Sequence, residues 1–371
     1  MDTTIEFFNT TIAPTAVDAV SKTLQSTRIS AGAKADSFET NLSNYGLTNP
    51  VTVNSGTVTM HLALMAAGVG PGDEVIIPAQ TFIATGMAVL YVGATPVFAD
   101  INLYDGNISL KSIIEKITDK TKAIIPVHWA GYPCDLDSIN FIARPRNIAV
   151  IEDAAHAFGT RYNGRLIGSI SRFTSFSFQA IKHLTTGDGG ALCCINEQDA
   201  NLVKRLRWFD IDRENTKTGF LGERVYDAVN IGYKYHMNDL AATLGIENLK
   251  YIDKRLNRVR QIATKYEAEL KNIPYIKLMT YEPEHLSSYW LFPILVDNRD
   301  KFIDHMRSNN IPVSVVHQGI DDNSIFGGMR NDLPNQRQFD AQQIHIPIHD
   351  ALTDEQVELI IKTIKEFECQ I

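Results

Sequence analysis

The segment "VTVNSGTVTMHLALMAAGVGPGDEVIIPAQTFIATGMAVLYVGATPVFADI", residues 51–101, decides the fold. It alternates short β-branched and apolar runs with longer runs that are apolar at helical spacing, and Gly, Pro and Asn separate them. Strands this apolar are covered on both faces, as in a mostly parallel sheet between layers of helices. The sequence therefore predicts that a ligand binds outside the carboxyl ends of these strands.

The same alternation continues towards the C-terminus through the strand candidates "NIAVIEDA", "FTSFSF" and "GGALCCIN". A polar stretch at 210–228 is typical of a long loop, and residues 238–273 have one continuous helical register. The remaining residues favour a smaller α+β unit. We predict an α/β fold with a large cofactor-binding domain over residues 1–245 and a small C-terminal domain over 246–371.

The composition narrows the classes of function. A formal net charge of −8 argues against a basic face for nucleic acid or for an anionic membrane. The first residues do not show the basic segment followed by an apolar segment that is typical of a signal peptide, and no apolar run reaches membrane-spanning length. We therefore expect a cytoplasmic protein with no membrane partner. The four cysteines form no cluster with zinc spacing, which predicts buried reduced thiols and no metal site.

Two motifs carry the candidate chemistry. In "NIAVIEDAAHAFGT" a strand ends at Asp153, which places a carboxylate at the ligand-binding edge. In "SFQAIKHLTTGDGG" the apolar neighbours of Lys182 favour a partly desolvated, nucleophilic amine. A carboxylate for the ring nitrogen and a lysine for the aldehyde are what pyridoxal phosphate requires. Taken singly, each has an ordinary alternative, because a strand-end Asp often caps a helix and a lysine often snorkels to solvent.

A phosphate site is indicated by "NSGTVTMHLAL", a small-residue turn that opens a helix. The backbone N–H groups of Gly56, Thr57 and Val58 suit a phosphate dianion, although simple capping of the helix is the alternative. The glycines after the lysine stand in the wrong order for a P-loop and instead indicate a tight turn. Phe82 follows a strand at the same sheet edge, where it could stack on a planar cofactor or belong to the core.

Together with "GYKYHMNDLAATLG", these motifs resemble the DegT-type sugar aminotransferases over nearly the whole chain. The members of that family are fold-type I pyridoxal phosphate enzymes that aminate nucleotide-linked ketosugars. The resemblance implies that Lys182 condenses with the cofactor aldehyde and later moves protons, and that Asp153 holds the pyridinium nitrogen. It further implies that His156 contacts the phenolic oxygen of the ring and that Phe82 stacks on the ring face.

The resemblance also implies which groups hold the cofactor phosphate: Gly56, Thr57, Val58 and Ser177. In this family a segment like "GYKYHMND" reaches the phosphate of the neighbouring subunit, so we expect a homodimer with shared active sites. That contact falls to Lys234 or to His236, because this segment departs from the family pattern. His156 stands where the family often has Gln, and Asp188 where it often has Glu.

The implied reaction transfers an amine from L-glutamate to a nucleotide-linked ketosugar, with pyridoxamine phosphate as the form that carries the amine. The acceptor we expect is a 4-keto-6-deoxyhexose, as for a perosamine or viosamine synthase, and the product would serve surface glycans such as lipopolysaccharide O-antigen. Candidate substrate residues are His317 and Arg213. The alternatives are amination of a 3-ketosugar or another ketosugar, and a non-catalytic regulator that retains the cofactor site.

Overall fold

Helices and strands alternate along most of the chain, of which the computed structural model describes residues 4–213 and 215–367. The α-helices are α1 (Ala16–Gln25), α2 (Ala33–Tyr45), α3 (Gly56–Ala66), α4 (Ile83–Tyr91), α5 (Leu110–Lys116), α6 (Leu136–Ala143), α7 (Glu197–Leu206), α8 (Asp239–Leu249), α9 (Ile252–Leu270), α10 (Arg299–Ser308), α11 (Pro334–Gln342) and α12 (Asp354–Lys365). Single 3-10 turns lie at Trp129–Gly131, Arg144–Arg146, Ile320–Asp322 and Ser324–Phe326.

The strands belong to one large sheet, one small sheet and two short hairpins. They are β1 (Pro50–Val53), β2 (Glu74–Pro78), β3 (Thr95–Ala99), β4 (Thr121–Ile124), β5 (Ala149–Asp153), β6 (Arg161–Tyr162), β7 (Arg165–Leu166), β8 (Phe173–Ser177), β9 (Gly190–Cys194), β10 (Lys217–Thr218), β11 (Arg224–Val225), β12 (Ile276–Leu278), β13 (Phe292–Val296) and β14 (Gln343–Ile346).

The large sheet has seven strands in the order β1-β9-β8-β5-β4-β2-β3, and β9 runs antiparallel to both of its neighbours. The remaining pairs, from β8 through β5, β4 and β2 to β3, are parallel. The mostly parallel sheet predicted from residues 51–101 is therefore confirmed. Because these strands run in one direction, their carboxyl ends meet at one edge, and Asp153 and Ser177 are the last residues of β5 and β8.

Both faces of the large sheet are buried, as the apolar strands predicted. Along β2, Ile76 packs into the core on the side of α2 and α6, while Val75 and Ile77 pack on the side of α3 and α4. This alternation follows from the two-residue period of a strand. Each such side chain stabilises the fold by about 1.5–3 kcal/mol when fully buried, so the two cores hold the sheet edge in place.

The smaller C-terminal unit is an antiparallel sheet, β12-β13-β14, whose core includes side chains of α9, α10 and α12. Ile5 packs into the same core, so the N-terminal segment crosses to this unit. Along α9, Leu256 packs in the core of the large unit and Val259 in that of the small one. The division at residue 245 stays a prediction.

Two local expectations differ from the structure. The continuous helix expected over residues 238–273 is two helices, because Tyr251 leaves helical geometry with φ −110° and ψ 2°. The polar stretch expected as a loop at 210–228 carries the β10–β11 hairpin.

The structure also bears on the membrane and cysteine predictions. Within residues 4–213 and 215–367, no helix combines the length and apolarity needed to cross a bilayer. Cys134, Cys193 and Cys194 are buried free thiols. Cys369, the fourth cysteine, lies outside the described residues.

Candidate active site

Lys182 lies on a loop that connects β8 to β9 and closes on itself. The N–H of Phe178 donates to the carbonyl of Gly189 at 2.8 Å, and the N–H of Thr186 donates to the carbonyl of Phe178 at 2.9 Å. A Cβ at Gly190 would lie 2.6 Å from a backbone oxygen of β8, so only glycine permits this close approach. The tight turn predicted after the lysine therefore holds the backbone of Lys182 close to the edge of the sheet.

The side chain of Asp153 is buried and that of Lys182 is partly buried, and desolvation moves their pKa values towards one another. Desolvation lowers the pKa of Lys182 to about 7, partly opposed by the attraction of Asp153. Desolvation raises the pKa of Asp153, while a hydrogen bond from the Thr85 hydroxyl at 2.8 Å works against that rise. A large fraction of Lys182 is therefore the nucleophilic neutral amine near pH 7.

His156 lies beside this pair in an aromatic environment. Its ring stacks on Trp290 with 3.8 Å between the centroids and 19° between the planes. Burial holds its pKa well below the usual value, so the imidazole is neutral. Within the described residues its Nδ1 atom is buried and has no hydrogen-bond partner, which is a costly state that a bound polar group would relieve.

The amino terminus of α3 faces the same space. Ser55 is the N-cap residue, and among the described residues its side chain makes no capping hydrogen bond. A Cβ at Gly56 would lie 2.6 Å from Cβ of Ser177, so the glycine lets β8 approach the helix terminus. Free N–H groups, the helix dipole and nearby hydroxyls make this terminus suitable for a phosphate.

These groups surround a cleft of about 350 Å³ between the sheet edge and the small C-terminal unit. It is lined by most of the residues singled out from the sequence: Gly56, Thr57, Phe82, Asp153, His156, Ser177, Lys182 and His317. At its mouth, the centroid of the half-exposed Phe82 ring lies 5.2 Å from that of His317. Burial lowers the pKa of His317 to about 4, so it offers hydrogen bonds and no charge near pH 7.

Three of the predicted site residues lie elsewhere within one chain. Val58 is in the first turn of α3, and its side chain packs against the apolar core, so its predicted contact through the backbone N–H stays a prediction. Arg213 and His236 line a separate cavity of about 630 Å³. Lys234 lies beside that cavity, with its Nζ 5.9 Å from the ring centroid of Trp208. A single chain therefore does not bring Lys234, His236 or Arg213 to the cleft of Lys182.

The structure adds two residues that the sequence did not indicate. Thr85 donates to Asp153 from the first turn of α4, three residues after Phe82, and this helical spacing was a usable signal. Trp290 lines the cleft from the residues just before β13, more than a hundred positions from Lys182. Such a long-range contact leaves no local sequence signal.

The residues present fit pyridoxal phosphate. The buried carboxylate of Asp153 would be stabilised by a protonated ring nitrogen, and the unpartnered Nδ1 of His156 could bond the phenolic oxygen. The α3 terminus with Ser177 could hold the phosphate. The cleft volume lies in the range of about 300–1,000 Å³ typical of small-molecule sites.

Comparisons with known proteins agree with this chemistry. The model of the DegT/DnrJ/EryC1/StrS aminotransferase family matches residues 10–365. GDP-perosamine synthase of Escherichia coli O157:H7 is 34% identical over 85% of both chains. The spore coat polysaccharide biosynthesis protein SpsC of Bacillus subtilis is 34% identical over 94% of this chain and 93% of that protein. The PLP form of Spr1654 from Streptococcus pneumoniae superposes with a TM-score of 0.90 at 30% identity, covering 98% of each chain.

Proposed function

Because this chain belongs to the DegT/DnrJ/EryC1/StrS aminotransferase family, we propose that it transfers the amine of L-glutamate to a nucleotide-linked 4-keto-6-deoxyhexose. The fold-type I architecture, the pyridoxal phosphate-dependent sugar aminotransferase activity and the cofactor predicted from the sequence are confirmed. The observation that carries the proposal is the convergence of Lys182, Asp153 and the α3 terminus on one cleft.

Each residue of the cleft has a distinct part in the proposed reaction. Pyridoxal phosphate, when bound, supplies an aldehyde that takes up an amino group and a ring that accepts electrons. Asp153 would keep the ring nitrogen protonated, and His156 would bond the phenolic oxygen. The neutral Nζ of Lys182 would take the proton from the α-carbon of glutamate and deliver it to the carbon that receives the nitrogen. The same atoms act in reverse on the ketosugar.

The choice of a 4-ketosugar is supported by two observations. A relative at 34% identity over 85% of the chain is a GDP-perosamine synthase, and another is a polysaccharide biosynthesis protein. The mouth of the cleft is formed by the Phe82 ring and by neutral His317, which suits a hexose with an apolar C6 methyl and polar hydroxyls. We propose that the aminated sugar serves a surface glycan such as the O-antigen of lipopolysaccharide.

We further propose that two copies complete each other's sites. On the segment around β10 and β11, Phe220 is fully exposed, and Leu221, Val229 and Ile231 are each more than 70% exposed. Apolar side chains that protrude in this way are typical of a surface that another chain covers. Arg213 and His236 line the cavity beside this segment, and Lys234 lies next to it. Burial lowers the pKa of His236 to about 4, so it would offer a hydrogen bond and no charge, while Arg213 and Lys234 would supply charge to the phosphates of a nucleotide sugar or cofactor bound by the partner.

The half-reactions give a direct test of the proposed donor and acceptor. We expect the purified protein with pyridoxal phosphate to be yellow and to bleach when L-glutamate is added, with release of 2-oxoglutarate. Adding a GDP-linked or dTDP-linked 4-keto-6-deoxyhexose to the bleached protein should restore the colour and yield an amino sugar detectable by mass spectrometry. A 3-ketosugar is the matched control acceptor. Recovery of colour with the 3-ketosugar alone would contradict the proposed position of amination, and a yellow protein that ignores glutamate would contradict the donor.

The dimer has its own test. We expect the double change Phe220→Ser and Leu221→Ser to weaken self-association by about tenfold or more, because it removes apolar anchors from the contact. Sedimentation velocity over a range of protein concentrations measures the change, and transaminase activity should fall with the dimer fraction. Phe141→Ser, at a ring that is 78% exposed on α6, is the matched control and should alter neither. A fully active monomer would refute the shared site.

A further inference from the structure

His317 lies on a segment that passes from the small C-terminal unit back to the large one. Val313 packs in the core of the small unit, and Ile320 packs in the core beside α3 and α4. Residues 314–319 between them belong to no named helix or strand, so their backbone polar groups need other partners. The position of His317 therefore depends on contacts with the rest of the chain.

The backbone carbonyl of His317 accepts two hydrogen bonds from buried amides. Nε2 of Gln80 donates to it at 3.0 Å, and Nε2 of Gln343 donates at 3.1 Å. Neither glutamine has any exposed surface. Gln80 follows β2 of the large unit, two residues before Phe82, whereas Gln343 begins β14 of the small unit. A carbonyl oxygen has two lone pairs, so this one is fully used and is held between the two units.

The backbone is also bonded on both sides of His317. The N–H of Val316 donates to Nδ1 of the buried His345 at 3.2 Å. The N–H of Gly319 donates to the carboxylate of Asp340 at 3.1 Å. These bonds, together with the two amides, set the direction in which the side chain of His317 leaves the backbone.

The ring of His317 is directed into the cleft, with its centroid 5.2 Å from that of Phe82 and 5.8 Å from that of His156. Burial and the nearby charge of Lys182 lower its pKa to about 4, against a hydrogen bond to the backbone of Val316. That bond uses the one N–H of a neutral imidazole, so the other ring nitrogen is an acceptor. An acceptor suits a sugar hydroxyl and would repel a phosphate oxygen.

We propose that Gln80 and Gln343 are positioning residues for His317 and thereby determine the affinity for the acceptor sugar. The two amides hold the backbone, and the acceptor nitrogen of the ring receives a hydroxyl of the hexose. Neither glutamine is among the described residues that line the cleft, so each acts through His317. The inference rests on the proposed ketosugar substrate, because the sugar carries hydroxyls and glutamate carries none.

The test is the kinetics of each half-reaction in the double variant Gln80→Met and Gln343→Met, which removes both donors and keeps most of the volume. We expect the KM for the ketosugar to rise about tenfold, because a displaced ring no longer meets the hydroxyl. The rate at which glutamate bleaches the holoenzyme should stay within about threefold, since that step involves no sugar. Gln336→Met is the matched control, because Gln336 is equally buried and bonds Gln80 and Asp340 but not His317.

The same double change in a His317→Leu background shows whether the amides act through the ring. There it should leave the ketosugar KM within about twofold of the value for His317→Leu alone, because the group that the amides position is absent. A further rise of about tenfold in that background would mean that the glutamines only stabilise the fold, and would overturn the inference. An unchanged KM when His317 is present would overturn it as well.

A chemical label distinguishes failure of this inference from failure of the proposed function. Diethyl pyrocarbonate acylates neutral imidazoles, and peptide mass spectrometry follows each histidine separately. Loss of both amides should raise the labelling rate of His317 in the holoenzyme by about fivefold, while His128, which is fully buried, keeps its rate. If the double variant does not fold, Gln343→Met alone should raise the rate by about twofold.

Labelling of His317 at the wild-type rate in the variant would refute the positioning role. Faster labelling of His128 in parallel would mean general loosening of the fold, and would also refute it. A wild-type protein that uses no 4-ketosugar, in combination with the expected labelling, would instead refute the proposed substrate and support the positioning of His317.

Discussion

Lys182→Ala is expected to abolish covalent attachment of the cofactor and to reduce transamination by about 10²- to 10⁴-fold, the range for a positioned proton-transfer group. The lysine is the nucleophile at the aldehyde and also the base within the cleft, and its pKa of about 7 suits both roles. Borohydride reduction followed by peptide mass spectrometry should locate the cofactor on Lys182 in the wild type and find no adduct in the variant.

Two controls test whether the effect of Lys182→Ala comes from loss of the amine in the cleft and not from loss of a lysine elsewhere. Lys111→Ala, at an exposed lysine on α5, should leave both the adduct and the rate unchanged. Added methylamine should partly restore proton transfer to Lys182→Ala, since a small free amine can enter the space vacated by the side chain. Transamination by Lys182→Ala at the wild-type rate would contradict the role of Lys182 as nucleophile and proton-transfer group.

Asp153→Asn is expected to lower kcat by about 10²- to 10³-fold, as removal of a preorganised electrostatic group does in other enzymes. The amide keeps the size of the side chain and can still bond Thr85, but it cannot hold the ring nitrogen in its protonated form. A cofactor analogue methylated at the ring nitrogen carries a permanent charge and should recover part of the loss in the variant, although not in Lys182→Ala.

Asp153→Asn should keep or raise the stability of the apoprotein while it lowers kcat. The folded-state pKa of Asp153 is raised by burial, so the folded protein binds this proton more tightly than the unfolded chain does. The free energy of unfolding therefore falls as pH rises from the unfolded pKa through the folded one, and ionised Asp153 destabilises the apoprotein at neutral pH. Asp153→Asn should consequently unfold at the same or a higher temperature than the wild type at pH 7. A marked drop in both stability and analogue binding would mean that the substitution disrupts the fold and that the kcat loss reports no electrostatic role.

The sequence predicted those site residues that directly follow or end a strand of the large sheet. Asp153 and Ser177 end parallel strands, and Gly56 begins a helix after another strand, so the alternation of strands and helices predicted that all three lie at one edge of the sheet. Lys182 was placed by its apolar neighbours and the glycine turn that follows. The continuous helix expected at residues 238–273 failed because Tyr251 leaves helical geometry. Ala242 before this break and Leu256 after it pack in the same core, so the pattern of buried residues does not mark the break.

The sequence by itself determined the order of most strands and helices, the sheet edge at which the functional side chains lie, and the family of the enzyme. What only the tertiary structure decided is which distant side chains complete the site: Trp290 and His317 line the cleft from the small unit, and Thr85 donates a hydrogen bond to Asp153. The physical reason is that hydrophobic periodicity records which face of an element is buried, while the partner of that face is selected by the packing of the whole chain.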